Sequence, residues 1–111
     1  MENEKSKLNL HSAIAYADDS VVSRTILKKP EGTITLFAFD KGQGLSEHTA
    51  PFDAQVHIVD GSAVVFIDRV SHDLVKDDII LLPANVPHAL DAKKRFKMLL
   101  TMIKSSSKKD D

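Results

Sequence analysis

Histidine is the residue type with the clearest capacity for chemistry in this 111-residue chain, and three of its five histidines fall in two distinct segments. Residues 42–61 contain His48 and His57, and residues 77–88 end at His88. An imidazole can bind a metal ion or exchange a proton near neutral pH. Each segment has the pattern of a turn followed by a strand, so both could deliver their histidines to a single site.

Composition argues against several classes of protein. Fifteen Lys and Arg nearly balance sixteen Asp and Glu, so the chain lacks the excess positive charge expected of a nucleic-acid binder. It contains no cysteine, which excludes disulfides and thiolate metal sites and fits a reducing cytoplasm, the location that we predict. No apolar run approaches the roughly 20 residues that span a bilayer, so no membrane partner is predicted.

The elements that must position the histidines are predicted to be β-strands. Short apolar runs alternate with turn signals about every eight to twelve residues, which is typical of sandwiches and barrels. The dipeptide Asp60-Gly61 suits the positive φ angles of a tight turn and predicts a hairpin between two strands. Residues 8–104 are predicted to form one domain, with disordered ends at residues 1–7 and 105–111.

The two histidine segments resemble the two signature motifs of the cupin superfamily. His48 lies six residues after Gly42, and His88 lies five residues after Pro83, as in those motifs. Asn85 occupies a position where the family favours glycine, and asparagine also tolerates a left-handed backbone. The resemblance implies an all-β, single-domain fold of the cupin type, a jelly-roll barrel also called a double-stranded β-helix.

The same resemblance implies a metal site that has lost part of its ligand set. The family usually supplies three imidazoles and a carboxylate, but Ala50 replaces the second histidine. Of two common spacings for the glutamate, one places Ala54 at that position and the other places Gln55. The candidate metal ligands that remain are His48, His57, His88 and Gln55. We therefore expect no certain cofactor, and a divalent metal would be held only weakly.

The predicted site is a pocket inside the barrel. Residues two apart on a strand share a face, so an inward Gln55 would bring His57 with it. The predicted pocket residues are His48, Gln55, His57 and His88, with walls from Phe37, Phe39, Leu82 and Met98. Such a pocket suits a small polar or anionic metabolite. The alternative is a metal-dependent enzyme of dioxygenase or isomerase type, so whether the protein is an enzyme is left open; a third hypothesis is a fold retained for self-association.

Two further expectations concern the last strand and the quaternary structure. Met98 and Met102 alternate within residues 95–104 and are predicted to be core, because a copper site would need them to face a cavity shared with histidine. A homodimer is expected from the resemblance and from the unpaired edges of the outer strands. The apolar segment 21–27 is the part of the chain predicted to take part in that dimer.

Overall fold

The computed structural model describes residues 7–105, which form eight β-strands and no helix. The predicted all-β fold is therefore confirmed. The strands are β1 (Val21–Lys29), β2 (Gly32–Phe39), β3 (Gly44–His48), β4 (Phe52–Ile67), β5 (Val70–Val75), β6 (Ile79–Leu82), β7 (His88–Asp91) and β8 (Phe96–Lys104). No helix in the described range is long and apolar enough to cross a membrane. The predicted disorder at residues 1–6 and 106–111 concerns parts of the chain outside the described residues.

The strands make two sheets that share β4. In the first sheet the order is β1-β2-β8-β4-β6, and in the second it is β3-β7-β4-β5. Every pairing is antiparallel. The first part of β4 pairs with β6 and β8, and its last residues pair with β5 and β7. Because one strand runs through both sheets, the two curl towards each other and enclose a barrel interior.

A bulge in the middle of β4 replaces the hairpin predicted at Asp60-Gly61. The register with β8 shifts between Ile58 and Asp60, and the strand continues to Ile67. Gly61 has a φ of 76°, and a Cβ there would collide with the carbonyl oxygen of Arg95. The positive φ angle therefore belongs to a continuous strand next to the bulge and not to a turn. The extra residue moves the inward face from even to odd positions: Ala54, Val56 and Ile58 before it, and Ala63, Val65 and Ile67 after it.

The barrel interior is densely packed at one end. The rings of Phe39 and Phe96 stack with centroids 4.5 Å apart, and neither ring is exposed to solvent. Phe37 extends this group, with its ring centroid 5.9 Å from that of Phe39. We call this region the aromatic end. It fixes the position of the first residues of β8, whose later residues continue towards the opposite end of the barrel.

The segment preceding β1 covers one part of the outer face of the first sheet. Ile14 packs with Leu36 and Val59 in a second buried cluster. Polar contacts fasten the segment: Lys97 Nζ donates to the carbonyl oxygen of His11 at 2.6 Å, and the Tyr16 hydroxyl donates to Asp60 Oδ2 at 2.6 Å. The buried face of this segment thus substitutes for a second layer over that part of the sheet.

Another part of that outer face carries large apolar side chains in contact with solvent. We call it the open face, and its exposed members are Leu27, Ile79, Leu81 and Ile103, at 46%, 55%, 65% and 61% exposure. Ile79 is paired with His57, and Leu81 with Gln55, so Ile79 and Leu81 lie on the same side of the sheet as those two residues. The pairings of β1, β2, β8 and β4 place Leu27 and Ile103 on that side as well. Soluble proteins seldom leave several large apolar side chains on one face in contact with solvent.

Candidate functional site

The structure brings His48 and His88 together at the end of the barrel opposite the aromatic end. His48 is the last residue of β3 and His88 the first of β7, and the two are direct partners across the strands. Their ring centroids are 4.4 Å apart, with an angle of 67° between the ring planes. The two segments singled out in the sequence therefore contribute one imidazole each to a common pair.

Backbone carbonyls fix the tautomer of both rings. The Nδ1 atom of His48 lies 2.7 Å from the carbonyl oxygen of Ser46, and that of His88 lies 3.3 Å from the carbonyl oxygen of Val86. A carbonyl oxygen can only accept a hydrogen bond, so Nδ1 carries the proton in each ring. The lone pair of each neutral imidazole is consequently on Nε2, which is the atom available to a ligand.

Electrostatics keep His88 neutral more readily than an ordinary histidine. Burial, which disfavours the charged ring, lowers the pKa of His88, and the nearby His48 lowers that pKa further. The hydrogen bond to the Val86 carbonyl acts in the opposite direction. His88 is half-buried, whereas His48 is exposed at the barrel mouth. The pair thus combines a solvent-accessible imidazole with one that resists protonation.

The imidazoles line a cavity of about 60 Å³ whose other walls are apolar. These walls comprise Leu45, Ala50, Phe52, Ala54, Val56, Leu82, Leu90, Met98, Leu100 and Met102. The two alanines occupy positions where the resemblance predicts metal ligands, so the wall carries methyl groups there instead of donor atoms. No Asp or Glu lies among the described residues that form this lining.

Gln55 and His57 do not lie in the cavity. They alternate with Ala54, Val56 and Ile58, which face the barrel core, and so point to the outer side of the first sheet. Of the two spacings considered for the glutamate position, the structure selects the one that ends at Ala54. The expectation that Gln55 and His57 share the pocket is therefore corrected, and both belong to the open face.

The four predicted wall residues divide into two pairs. Leu82 and Met98 line the cavity. Phe37 and Phe39 lie away from it, because their rings are packed in the aromatic group with Phe96. Sequence analysis also missed most of the walls, especially Leu45, Phe52, Leu90 and Leu100. The alternation of apolar with polar residues along β4 contained the signal for Phe52.

The methionines of β8 differ from the prediction in one respect. Met98 is fully buried and belongs to the core, as expected. However, both Met98 and Met102 also line the cavity that His48 and His88 share. The condition set for a copper site, thioethers and imidazoles facing one cavity, is met.

The acidic residues nearest to the imidazoles are occupied elsewhere. Asp53 Oδ1 accepts a hydrogen bond from the backbone N–H of Ala84 at 2.9 Å and so holds the loop before β7. Glu47 lies 3.6 Å from Arg69 Nε in an ion pair on the barrel surface. Neither carboxylate lines the cavity. This cavity therefore has imidazole nitrogens as its polar atoms, whereas Glu47 and Arg69 line a separate, more open pocket of about 280 Å³ together with His88.

This donor set does not fit the divalent metal that the motif resemblance implies. Among residues 7–105 no group of three or more His, Cys, Asp or Glu side chains is arranged to hold a metal ion. A catalytic divalent site usually has about three protein ligands, and here two imidazoles stand beside the methyl groups of Ala50 and Ala54. Hard divalent ions also prefer carboxylate oxygens, which the cavity lacks.

Comparison with known proteins identifies the fold. No family model matches the sequence, and no curated protein does. Among solved structures, a cupin superfamily protein from Desulfitobacterium hafniense is 34% identical, with a TM-score of 0.84 over 88% of this chain and 90% of that one. A conserved protein of unknown function from Streptococcus pyogenes is 37% identical, with a TM-score of 0.85 over 88% and 86% of the two chains.

A third similar structure is a cupin 2 conserved barrel domain protein from Leptotrichia buccalis. It is 36% identical with a TM-score of 0.85, and the match covers 87% of this chain. The chain spans about half of that protein, 47% of its length. Two of these three structures are thus described by their fold and one as having unknown function, so the similarity gives the architecture and leaves the ligand to the chemistry of the cavity.

Proposed function

Because this chain belongs to the cupin superfamily and its barrel cavity retains two imidazoles but no carboxylate, we propose that it binds a small, weakly acidic or anionic organic metabolite there. The observation that supports this function is the His48–His88 pair at the mouth of an otherwise apolar cavity. Pockets that combine apolar walls with a few convergent polar atoms are typical of small-molecule sites.

The imidazoles would recognise the acidic group of the ligand. Each Nδ1 proton is already donated to a backbone carbonyl, so Nε2 offers a lone pair to an acidic proton. When that proton moves to the ring, the ligand anion and the imidazolium form a charge-assisted hydrogen bond. Binding of a carboxylate is therefore coupled to proton uptake, and affinity should grow as the pH is lowered from neutral.

The walls would recognise the remainder of the ligand by its size. A cavity of about 60 Å³ is small, so it admits only the short apolar part of a ligand. A short-chain acid fits with its apolar part against the side chains of Leu45 and Leu100, whereas a larger one would extend through the mouth past His48. Burial of each methylene group would add about 0.8 kcal/mol to binding.

Titration with acetate, propionate and butyrate tests this proposal. We expect saturable binding, with affinity rising along the series and the ring signals of His48 and His88 shifting in NMR spectra. A variant with both His48→Gln and His88→Gln should bind at least about tenfold more weakly, whereas the control His57→Gln, which changes the outer face, should bind as the wild type does. Equal binding by the double variant, or no binding by the wild type, would refute the proposal.

We further propose that the protein forms a homodimer through the open face. In a two-fold dimer a surface meets a copy of itself, so a strongly charged surface would repel its partner. The side chains between the exposed apolar residues at the centre of this face are Gln55, His57, Leu99 and Thr101, none with a formal charge when histidine is neutral, and the charged Lys29 and Asp53 lie at its rim beside Ile103. The centre of the face can therefore meet itself without like-charge repulsion.

The unpaired strand edges also favour a second copy of this chain as the partner. Among the described residues β1 pairs only with β2, and β6 pairs only with β4, so the first sheet ends in two free edges. Light scattering on a size-exclusion column should give twice the chain mass at micromolar concentration. Leu81→Lys should lower the measured mass to that of one chain. Val70→Lys, at a comparably exposed site on β5 (59%), should leave the mass unchanged. A wild-type monomer would exclude this dimer.

A further inference from the structure

The cavity that His48 and His88 line is also lined by two thioether side chains. Met98 and Met102 both line it, together with His48 and His88. The two methionines are four residues apart on β8, so they lie on the same side of that strand. The cavity therefore has a nitrogen side, formed by β3 and β7, and a sulfur side, formed by β8.

The position of Met102 makes it the nearer partner of the imidazoles. Met102 is paired across the strands with Ala54, the residue at the family's carboxylate position. Because Ala54 carries only a methyl group, the thioether side chain meets no bulky neighbour at that pair. Met98 is paired with Ile58 and Phe37 and so lies nearer the aromatic end. We therefore rank Met102 first and Met98 second as sulfur donors.

The charge of the cavity selects the metal. Imidazole nitrogen and thioether sulfur are neutral donors, and no carboxylate among the described residues lines the site. A divalent ion would place two uncompensated positive charges next to apolar walls, which is costly. A monovalent ion halves that charge, and Cu(I) is the soft monovalent ion for which thioether and imidazole are suitable ligands.

We propose that the cavity binds one Cu(I) ion through Nε2 of His48 and His88 and the thioether of Met102, with Met98 as a further sulfur ligand. The backbone bonds to each Nδ1 already hold the rings in the tautomer that a metal requires. The inference goes beyond the organic-acid function but shares its two imidazoles. Only Cu(I) binding requires the methionines, so methionine variants distinguish the two activities.

Competition against a chromophoric Cu(I) chelator under anaerobic conditions tests the site. The wild type should remove one Cu(I) per chain from bathocuproine disulfonate. Met102→Leu should weaken binding at least about tenfold and Met98→Leu by less, while the His48→Gln, His88→Gln double variant should not compete. Methionine and leucine have similar volumes, so these Met→Leu variants should keep the fold, which circular dichroism would verify.

X-ray absorption gives an independent reading of the ligands. The wild-type Cu(I) complex should show a copper–sulfur shell that disappears in the Met98→Leu, Met102→Leu double variant. If that variant binds Cu(I) as tightly as the wild type, or if the wild type removes no copper from the chelator, the inference is wrong. Butyrate binding by the same variant separates the two ideas, because its imidazoles are intact and the organic-acid function should survive.

Discussion

The two ends of the barrel interior differ in what fills them. At the aromatic end Phe39 and Phe96 stack at 4.5 Å and exclude solvent completely. At the other end Ala50 and Ala54 leave a cavity beside His48 and His88. Both ends are bridged by the same strand, β8, whose residues run from Phe96 at one end to Met102 at the other.

This difference shows that side-chain volume along common strands determines where the barrel is hollow. The backbone pairing of β4 with β8 is continuous apart from one bulge, so the scaffold is equally well formed at both ends. The aromatic end uses its volume for stability, because close packing contributes most where no void remains. The cavity end gives up that contribution and gains room for a ligand.

The largest expected change in ligand affinity comes from converting the cavity end into a full metal site. Ala50→His with Ala54→Glu should supply a third imidazole and a carboxylate, raising the affinity for Zn²⁺ or Mn²⁺ by roughly a hundredfold or more, about 2.7 kcal/mol. Elemental analysis and metal titration would measure it. The matched control, Ala50→His with Gln55→Glu, places the carboxylate on the outer face and should gain far less; equal gains would show that Ala54 does not face the cavity.

The largest expected effect on stability is at the aromatic end. Phe39→Ala should lower the free energy of unfolding by roughly 3–5 kcal/mol, because it removes one ring of a buried stack. Leu45→Ala at the cavity end should cost less than about 2 kcal/mol, since Leu45 is half-buried beside existing empty space. Urea unfolding of both variants compares the ends directly. Equal losses would contradict the contrast between them.

Adding volume should have opposite outcomes at filled and hollow positions. Ala63 is buried in the packed core, so Ala63→Val should destabilise the protein by about 1–3 kcal/mol through overpacking. Ala54→Val adds the same two methyl groups next to the cavity and should cost less than about 0.5 kcal/mol. Thermal unfolding would show a clear loss for Ala63→Val alone. A comparable loss for Ala54→Val would mean that the cavity is too small to accept a side chain.

The smallest expected effect is a pH dependence confined to the cavity end. Burial lowers the pKa of His88, so in the folded protein this ring binds a proton less readily than in the unfolded chain. Stability should therefore be complete above about pH 6.5 and fall as the unfolded chain takes up protons below it, levelling off once the pH drops below the lowered pKa. Wild type should lose more stability between pH 7 and pH 5 than His88→Gln does; identical losses would assign the effect elsewhere.

The sequence predicted the fold and the histidine pair because both rest on local patterns. Strand alternation and the spacing of His48 and His88 from their turns can be recognised without knowledge of the tertiary structure. The face of β4 was misassigned although its residues contain the answer: Phe52, Ala54, Val56 and Ile58 are apolar, and Asp53, Gln55 and His57 between them are polar. The prediction of an inward His57 overlooked this alternation, since adjacent residues face opposite ways.

Other features could not be found from local patterns. The bulge between Ile58 and Asp60 cannot be predicted from β4 alone, because only the pairing with β8 shows that Val59 is an extra residue. A glycine with positive φ serves a hairpin and a bulge equally well. The shared cavity of Met98, Met102 and the imidazoles requires β8 to face β3 and β7, which is a property of the closed barrel and not of any one segment.

The place of β8 in the sheet has a consequence for how the protein is made. β8 lies between β2 and β4, and Gly32 is paired with Ile103, so the central strand of the first sheet is synthesised after the other seven described strands. At about 5–20 residues per second the earlier strands wait seconds on the ribosome with their inner edges unpaired. Contacts between such distant residues form slowly, on the order of milliseconds to seconds. Nascent chains that lack β8 are therefore the species most exposed to aggregation and most dependent on chaperones.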